Sequence, residues 1–232
     1  MNIRTIGFIT IAVVFVTGIW IITTILNVLL TAPHLSLLDK IALLENPDEL
    51  YYITYTNASL ITILTVAMFS GFYFYCKEKH LLWSIIAFSF IPIYGFGNLF
   101  VYLSQLYVVP NLVEMHKIGE YQLITEFILS QFIQDWSGSA IGYLNGISYG
   151  ILGIPSIIFS LIFIKKDIKL RIGGLLLLIS GVLSIIAVIG LAFRNQILIF
   201  LLVLSGFIYF IALIFIGKYF LQKTGHKAKI MV

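Results

Sequence analysis

The sequence predicts an all-α membrane protein, a polytopic bundle of six transmembrane helices with both termini cytoplasmic. Three observations lead there. Six apolar runs each reach the ~20 residues that cross a hydrocarbon layer of ~30 Å. Of 232 residues, 60% are hydrophobic and only 10% charged, with mean hydropathy +1.06; soluble domains carry about 25% charged residues. Lysine and arginine also fall mainly on one side of the runs.

The first run, Ile6–Leu30, follows Arg4. It is longer than the ~7–15 residues of a signal-peptide core and lacks a small-residue cleavage site, so it reads as a retained span. The others are Tyr52–Tyr75, Leu81–Val109, Ser137–Ile164, Ile172–Phe193 and Ile197–Gly217. Pro92 and Pro155 lie inside the third and fourth and predict kinks. Between spans one and two, Ser36-Leu-Leu-Asp39 reads as a capping box opening an apolar-rich stretch that ends at Glu45-Asn46-Pro47. Between spans three and four, Pro110 to Trp136 interleaves Leu112, Val113, Ile118, Leu123, Ile124, Phe127, Ile128 and Phe132 with Glu114, Lys117, Glu120, Glu126, Gln131 and Gln134. That pattern predicts amphipathic helices on the outer interface. No linker or second domain interrupts residues 1–232, which read as one transmembrane domain.

Charge orients the bundle. One side holds Arg4, Lys77, Lys79, Lys165, Lys166, Lys169, Arg171, Lys218, Lys223, Lys227 and Lys229; the other holds Lys40, Lys117 and Arg194. The basic side is expected to be cytoplasmic. The net charge of +4 is then a matter of topology, and no nucleic-acid partner is expected. The cluster from Lys165 to Arg171 is a solvated loop or a contact for anionic lipid. The lipid bilayer is the expected partner, and the cell (inner or plasma) membrane the expected location.

Gly138, Gly142, Gly146 and Gly150 recur every four residues down the fourth span. Small residues at that spacing let another helix backbone approach closely in a bilayer. The ladder predicts a helix-packing face.

Polar residues inside the spans mark a candidate site. Tyr94, Asn98, Tyr102 and Gln105 fall within an arc of about 80° on span three. Tyr55, Ser59 and Thr62 share a face of span two, Asn145 and Tyr149 a face of span four, with Asp135 in line above and Asn27 at the outer end of span one. Polar groups facing lipid are costly, so these faces point inward. One reading is an outer polar pocket between spans two, three and four, walled at the back by the glycines. The other is a set of hydrogen bonds between neighbouring helices, with the outer tyrosines as an interfacial belt.

Little else suggests chemistry. Asp135 heads the glycine helix and reads first as its N-cap. His34 and His116 stand alone on separate loops, which is no metal signature. Cys76 is the only cysteine, so no intramolecular disulfide forms. It reads as a small residue at the interface, with palmitoylation the less favoured use. There is no HExxH, no lysine in a span centre, and no acid or base in the centre of any span. That argues against charge-coupled transport. No catalytic residue, cofactor or metal site is expected. Asn57-Ala58-Ser59 matches a glycosylation sequon but falls where a span begins.

From Asn145 the chain reads Asn-Gly-Ile-Ser-Tyr-Gly-Ile-Leu-Gly-Ile-Pro155. A basic loop follows, then Leu170-Arg171-Ile-Gly173-Gly174 leading an apolar helix to Gly181. Over roughly residues 135–190 this resembles a bacterial and archaeal family of six-helix membrane proteins known as a domain of unknown function, the DUF4386 type. Ile151-Leu152 stand where that family is more aromatic. The resemblance implies a prokaryotic inner-membrane protein and carries over no activity.

Three functions fit. The protein binds or passes a small amphipathic or lipid-like ligand through the outer pocket. Alternatively it is a structural subunit whose ladder packs a second copy or another membrane protein. The third reading is an outer-face enzyme using Asp135 and His116.

Overall fold

The computed structural model describes residues 2–30, 36–119 and 121–228, and the side chains of all but Val28, Leu30 and 224–228 among them. His34, Glu120 and Lys229 lie outside the described residues. The described residues form ten α-helices and no strand: α1 (Ile3–Leu30), α2 (Leu37–Leu44), α3 (Glu49–Cys76), α4 (Leu81–Ser89), α5 (Ile91–Leu103), α6 (Val109–Ile118), α7 (Gln122–Phe132), α8 (Ala140–Phe163), α9 (Ile168–Ala192) and α10 (Gln196–Ala228). Six segments are long and apolar enough to cross a membrane: α1, α3, the composite α4–α6, α8, α9 and α10. Six crossings bring Asn2 and Ala228 to one face, called here the terminal face. The short helices α2 and α7 and the end of α6 cap the opposite, distal face.

Each span packs on the next in sequence, and α10 returns to α1, so the six form a closed ring. The ring is apolar outside and holds its polar side chains inside. Phe15 and Phe96 are 68% and 75% exposed, whereas Thr62, Thr65 and Asn98 are fully buried. A bilayer demands that distribution, because polar groups find partners only within the bundle. The protein is a multi-pass membrane protein.

Two local rules shape the third span. Pro92 has no N–H and crowds the preceding turn. The helix therefore breaks at Phe90 and restarts at Ile91. Pro155 instead sits inside α8, which runs uninterrupted. Residues 104–108 form one wide π-turn, in which the Val109 N–H donates to the Ser104 carbonyl. Pro110 has no N–H to offer the next carbonyl, that of Gln105. The Tyr51 hydroxyl from α3 donates to that carbonyl instead, at 2.7 Å. After this turn the helix runs on as α6, so the third span extends past Val109 to Ile118.

The distal helices start where their caps allow. Ser36 and Asp39 form the capping box of α2, and hydrogen bonds from the Ser36 hydroxyl and then its backbone N–H hold the Asp39 carboxyl below its ordinary value. Asp48 caps α3. The cap of α8 is Ser139, not Asp135. Gly138 lies before that helix in a left-handed turn (φ 78°), and no atom lies within 4 Å of where its Cβ would stand. It is a turn glycine rather than a packing one. Ile41, Val109, Val113, Leu129 and Ile133 make a small separate core under the cap.

The terminal half of the ring is solid. Phe69, Phe72, Phe159, Phe163 and Phe220 are fully buried and pack ring against ring, with centroids 5.2–6.4 Å apart. Cys76 is buried in the same core rather than lying at the interface.

Glycine sets the closest helix approaches. A Cβ on Gly153 would stand 2.7 Å from the Gly181 carbonyl oxygen, and one on Gly181 equally close to that of Gly153. Gly146 and Gly150 face Leu191 and Val188 on the same α8–α9 seam. Gly142 faces only the Gln134 carbonyl and the Ser139 hydroxyl that begin its own helix. Between α1 and α10, Gly7 lies under Leu221 and Gly217 under Ile11.

Gly153→Ala or Gly181→Ala therefore presses a methyl on backbone that cannot yield, and costs on the order of 1–3 kcal/mol. Gly206, with open space beside it, accepts alanine at no such cost. Thermal unfolding midpoints in detergent distinguish the two cases.

Candidate functional site: a distal-half cavity open between α1 and α10

Above the phenylalanine plug the ring encloses a cavity of about 430 Å³. All six spans wall it. α1 gives Thr17, Trp20, Ile21, Thr24, Ile25 and Leu29; α3 gives Ala58, Ile61 and Thr65; the third span gives Tyr94 and Tyr102. α8 gives Asn145, Tyr149, Leu152, Gly153 and Ser156; α9 gives Ser180 and Ser184; α10 gives residues from Leu202 to Tyr209. Among the described residues no charged side chain and no histidine lines it.

The mouth follows from how α1 is held. At its terminal end α1 lies on α10 through Gly7 and Gly217. Higher up, a Cβ on Gly18 would stand 3.9 Å from the Phe210 ring, the last such glycine approach. Continuing the same antiparallel register puts Ile22 opposite Gly206 and Ile25 opposite Val203. There the two helices part, and Gly206 has no atom within 4 Å of its Cβ position. The distal end of α1 is fastened to α3 instead, where Asn27 donates to the Thr54 hydroxyl (3.0 Å). At mid-helix Asn57 of α3 donates to the Val16 carbonyl (2.9 Å). Ile25, Leu29, Val203 and Phe207 both line the cavity and are 47–74% exposed on the outside of the ring. The mouth is therefore lateral and apolar.

The interior differs. Most buried hydroxyls return to their own helix: Thr10 to Ile6, Thr62 to Ala58, Ser148 to Leu144. Thr17, Thr24 and Thr65 do not. Their hydroxyls, the Tyr209 hydroxyl and the Asn145 Oδ1 are buried without a hydrogen bond, and all five residues line the cavity. Tyr102 and Tyr149 share a bond of 2.7 Å on the opposite wall. Ser180, Ser184 and Ser205 satisfy one another across α9 and α10, at 2.6–3.2 Å.

Of the residues singled out from sequence, Tyr94, Tyr102, Asn145 and Tyr149 line the cavity. The others stand elsewhere. Tyr55 packs beside the Tyr102 ring, and Ser59 donates to the Tyr55 carbonyl. Asn98 is fully buried behind the wall, beside the hydroxyls of Tyr94 and Tyr149. Gln105 is 1% exposed and works as a staple. Its Nε2 donates to the Phe132 carbonyl (2.7 Å), and its Oε1 accepts from the Gln134 N–H (3.2 Å). The amide thus ties the α7–α8 connection to the third span. Asp135 pairs with Lys40 of α2. His116 pairs with Glu126 instead, at 3.1 Å. The glycines expected as a back wall are not lining residues; Gly153 and Gly206 are.

Sequence reading missed the α1 and α10 walls. Thr17 and Thr24 are seven apart, and Ser205 and Tyr209 four apart, so each pair shares a helix face. That spacing was the available signal. Among the described residues no group of three metal-ligating side chains occurs. No family model, no curated protein and no solved structure matches the chain.

Gln105→Leu leaves a buried carbonyl and a buried N–H without partners, at a cost of roughly 1–3 kcal/mol each. Asp135→Asn removes an ion pair whose acid is 58% exposed, and such pairs are worth about 0–1 kcal/mol. Hydrogen exchange at residues 132–134 should accelerate strongly in the first variant and little in the second.

Proposed function

We propose that the protein binds, or passes part-way across the bilayer, a small amphipathic or lipid-like molecule held in the distal-half cavity. The observation that carries this reading is the pairing of five unpartnered polar groups inside with an apolar lateral mouth. Buried polar atoms without partners are costly, and native structures rarely keep several around one space. A ligand with a polar end and an apolar end satisfies both parts. The volume lies within the ~300–1,000 Å³ of small-molecule sites.

The setting we propose is the plasma membrane of a prokaryotic cell, with the cap outside. The partition of lysine and arginine supports that orientation, and the resemblance to the six-helix family supports the setting. A subunit that packs a partner through the glycine ladder has less support, because α9 of the same chain already covers Gly146 and Gly150.

Gly206→Phe should fill the mouth without touching the plug. Native mass spectrometry of protein released from native-lipid particles should show a retained amphipathic molecule on the wild type. The variant should lose it with little change in unfolding temperature. Equal retention by both contradicts the proposal.

A further inference from the structure

We infer that the molecule held in this cavity is an uncharged lipid with a hydroxylated head, of the monoacylglycerol kind, seated head inward with its chain leaving between α1 and α10. This rests on the reading of the cavity as a lipid-binding site and names the class of lipid.

Charge is the first argument. Among the described residues no cation lines the cavity. Lys40, on the distal cap, is engaged with Asp135. The distal helix N-termini are also taken: Asp48 caps α3, Ser139 caps α8, and the Asn195 side chain accepts from the Ile197 and Leu198 N–H groups of α10. A phosphate head would lose its water and gain no counter-charge, and an isolated charge in such surroundings is strongly disfavoured. A cationic head fares no better, because no carboxylate lines the cavity among the described residues.

Hydrogen bonding is the second. The groups without a hydrogen bond are the hydroxyls of Thr17 and Thr24 and the side-chain oxygen of Asn145, together with the Thr65 and Tyr209 hydroxyls, which face each other. Hydroxyls donate and accept, whereas a carbonyl oxygen only accepts. A bare hydrocarbon matches none of them. A head with two hydroxyls offers donors and acceptors together.

Polarity along the cavity is the third. Thr65 is fully buried, and its hydroxyl lies near that of Tyr209. The mouth is Ile25, Leu29, Val203 and Phe207, all open to the ring's outer surface. A head therefore sits deep, and a chain lies where lipid would meet the protein.

The test compares three probes with the same chain length: monoolein, oleoyl lysophosphatidic acid and 1-octadecene. Each is titrated onto the full-length protein in detergent micelles, and the bound fraction is read by native mass spectrometry. Monoolein is expected to bind at least tenfold better than either of the others. The double variant Thr65→Val/Asn145→Leu should lower monoolein to the level of octadecene and leave octadecene unchanged. Thr24→Val, a lesser change on α1, should lower monoolein severalfold and gives a second readout if the double variant does not fold. Lysophosphatidate binding as well as monoolein, or all three binding alike, overturns the inference and leaves the lipid-site reading standing. Binding of none of the three overturns both.

Discussion

The contact between the first and last spans decides the rest. α1 and α10 are far apart in the chain, and the glycines Gly7 and Gly217 let them pack closely and close the ring in the terminal half. In a bilayer there is no hydrophobic drive between two apolar helices; close packing supplies the attraction. Above Gly18 the α1 helix answers to α3 through Asn27, and just below it Asn57 of α3 holds Val16. The ring is thus closed in one half and parted in the other.

The cavity follows from that geometry. Five large phenylalanines fill the terminal half, whereas in the distal half the tyrosines stand along the walls and leave space between them. Thr17 and Thr24 on α1 face that space with no neighbour to bond. Threonines that would ordinarily donate to their own helix hold free hydroxyls there. The Gln105 staple and the Tyr51 bond to the π-turn hold the roof in place. Without them the connection between α7 and α8 would have unpaired backbone groups facing the bundle. The chain so combines a rigid floor, a fastened roof and one loose wall.

Much of this was legible in the sequence because a bilayer makes residue type nearly equivalent to location. The six spans followed from apolar run length. Tyr94, Tyr102, Asn145 and Tyr149 were found because polar residues at helical spacing must turn inward. What escaped depended on distant contacts. Nothing local says that α1 lies beside α10, so Thr17, Thr24 and Tyr209 were not placed with the others. Gln105 looked like a ligand residue because its true partners, the backbone at 132 and 134, lie in an irregular connection. Gly138 fitted a four-residue period, yet α8 begins two residues later, and a period cannot tell a turn glycine from a packing glycine. Asp135 stood where a cap belongs, but Ser139 is nearer the first free N–H groups and took the role.

The account stands on α1 and α10 being joined at one end and parted at the other. Paired spin labels in lipid nanodiscs read this directly, with Cys76 replaced by alanine. Pairs following the register of the two helices, at the exposed residues 8 and 218 and at the exposed residues 22 and 204, should give distances that widen toward the distal face. Distances that stay constant along the two helices would mean a ring closed throughout, with no lateral mouth, and would contradict the account.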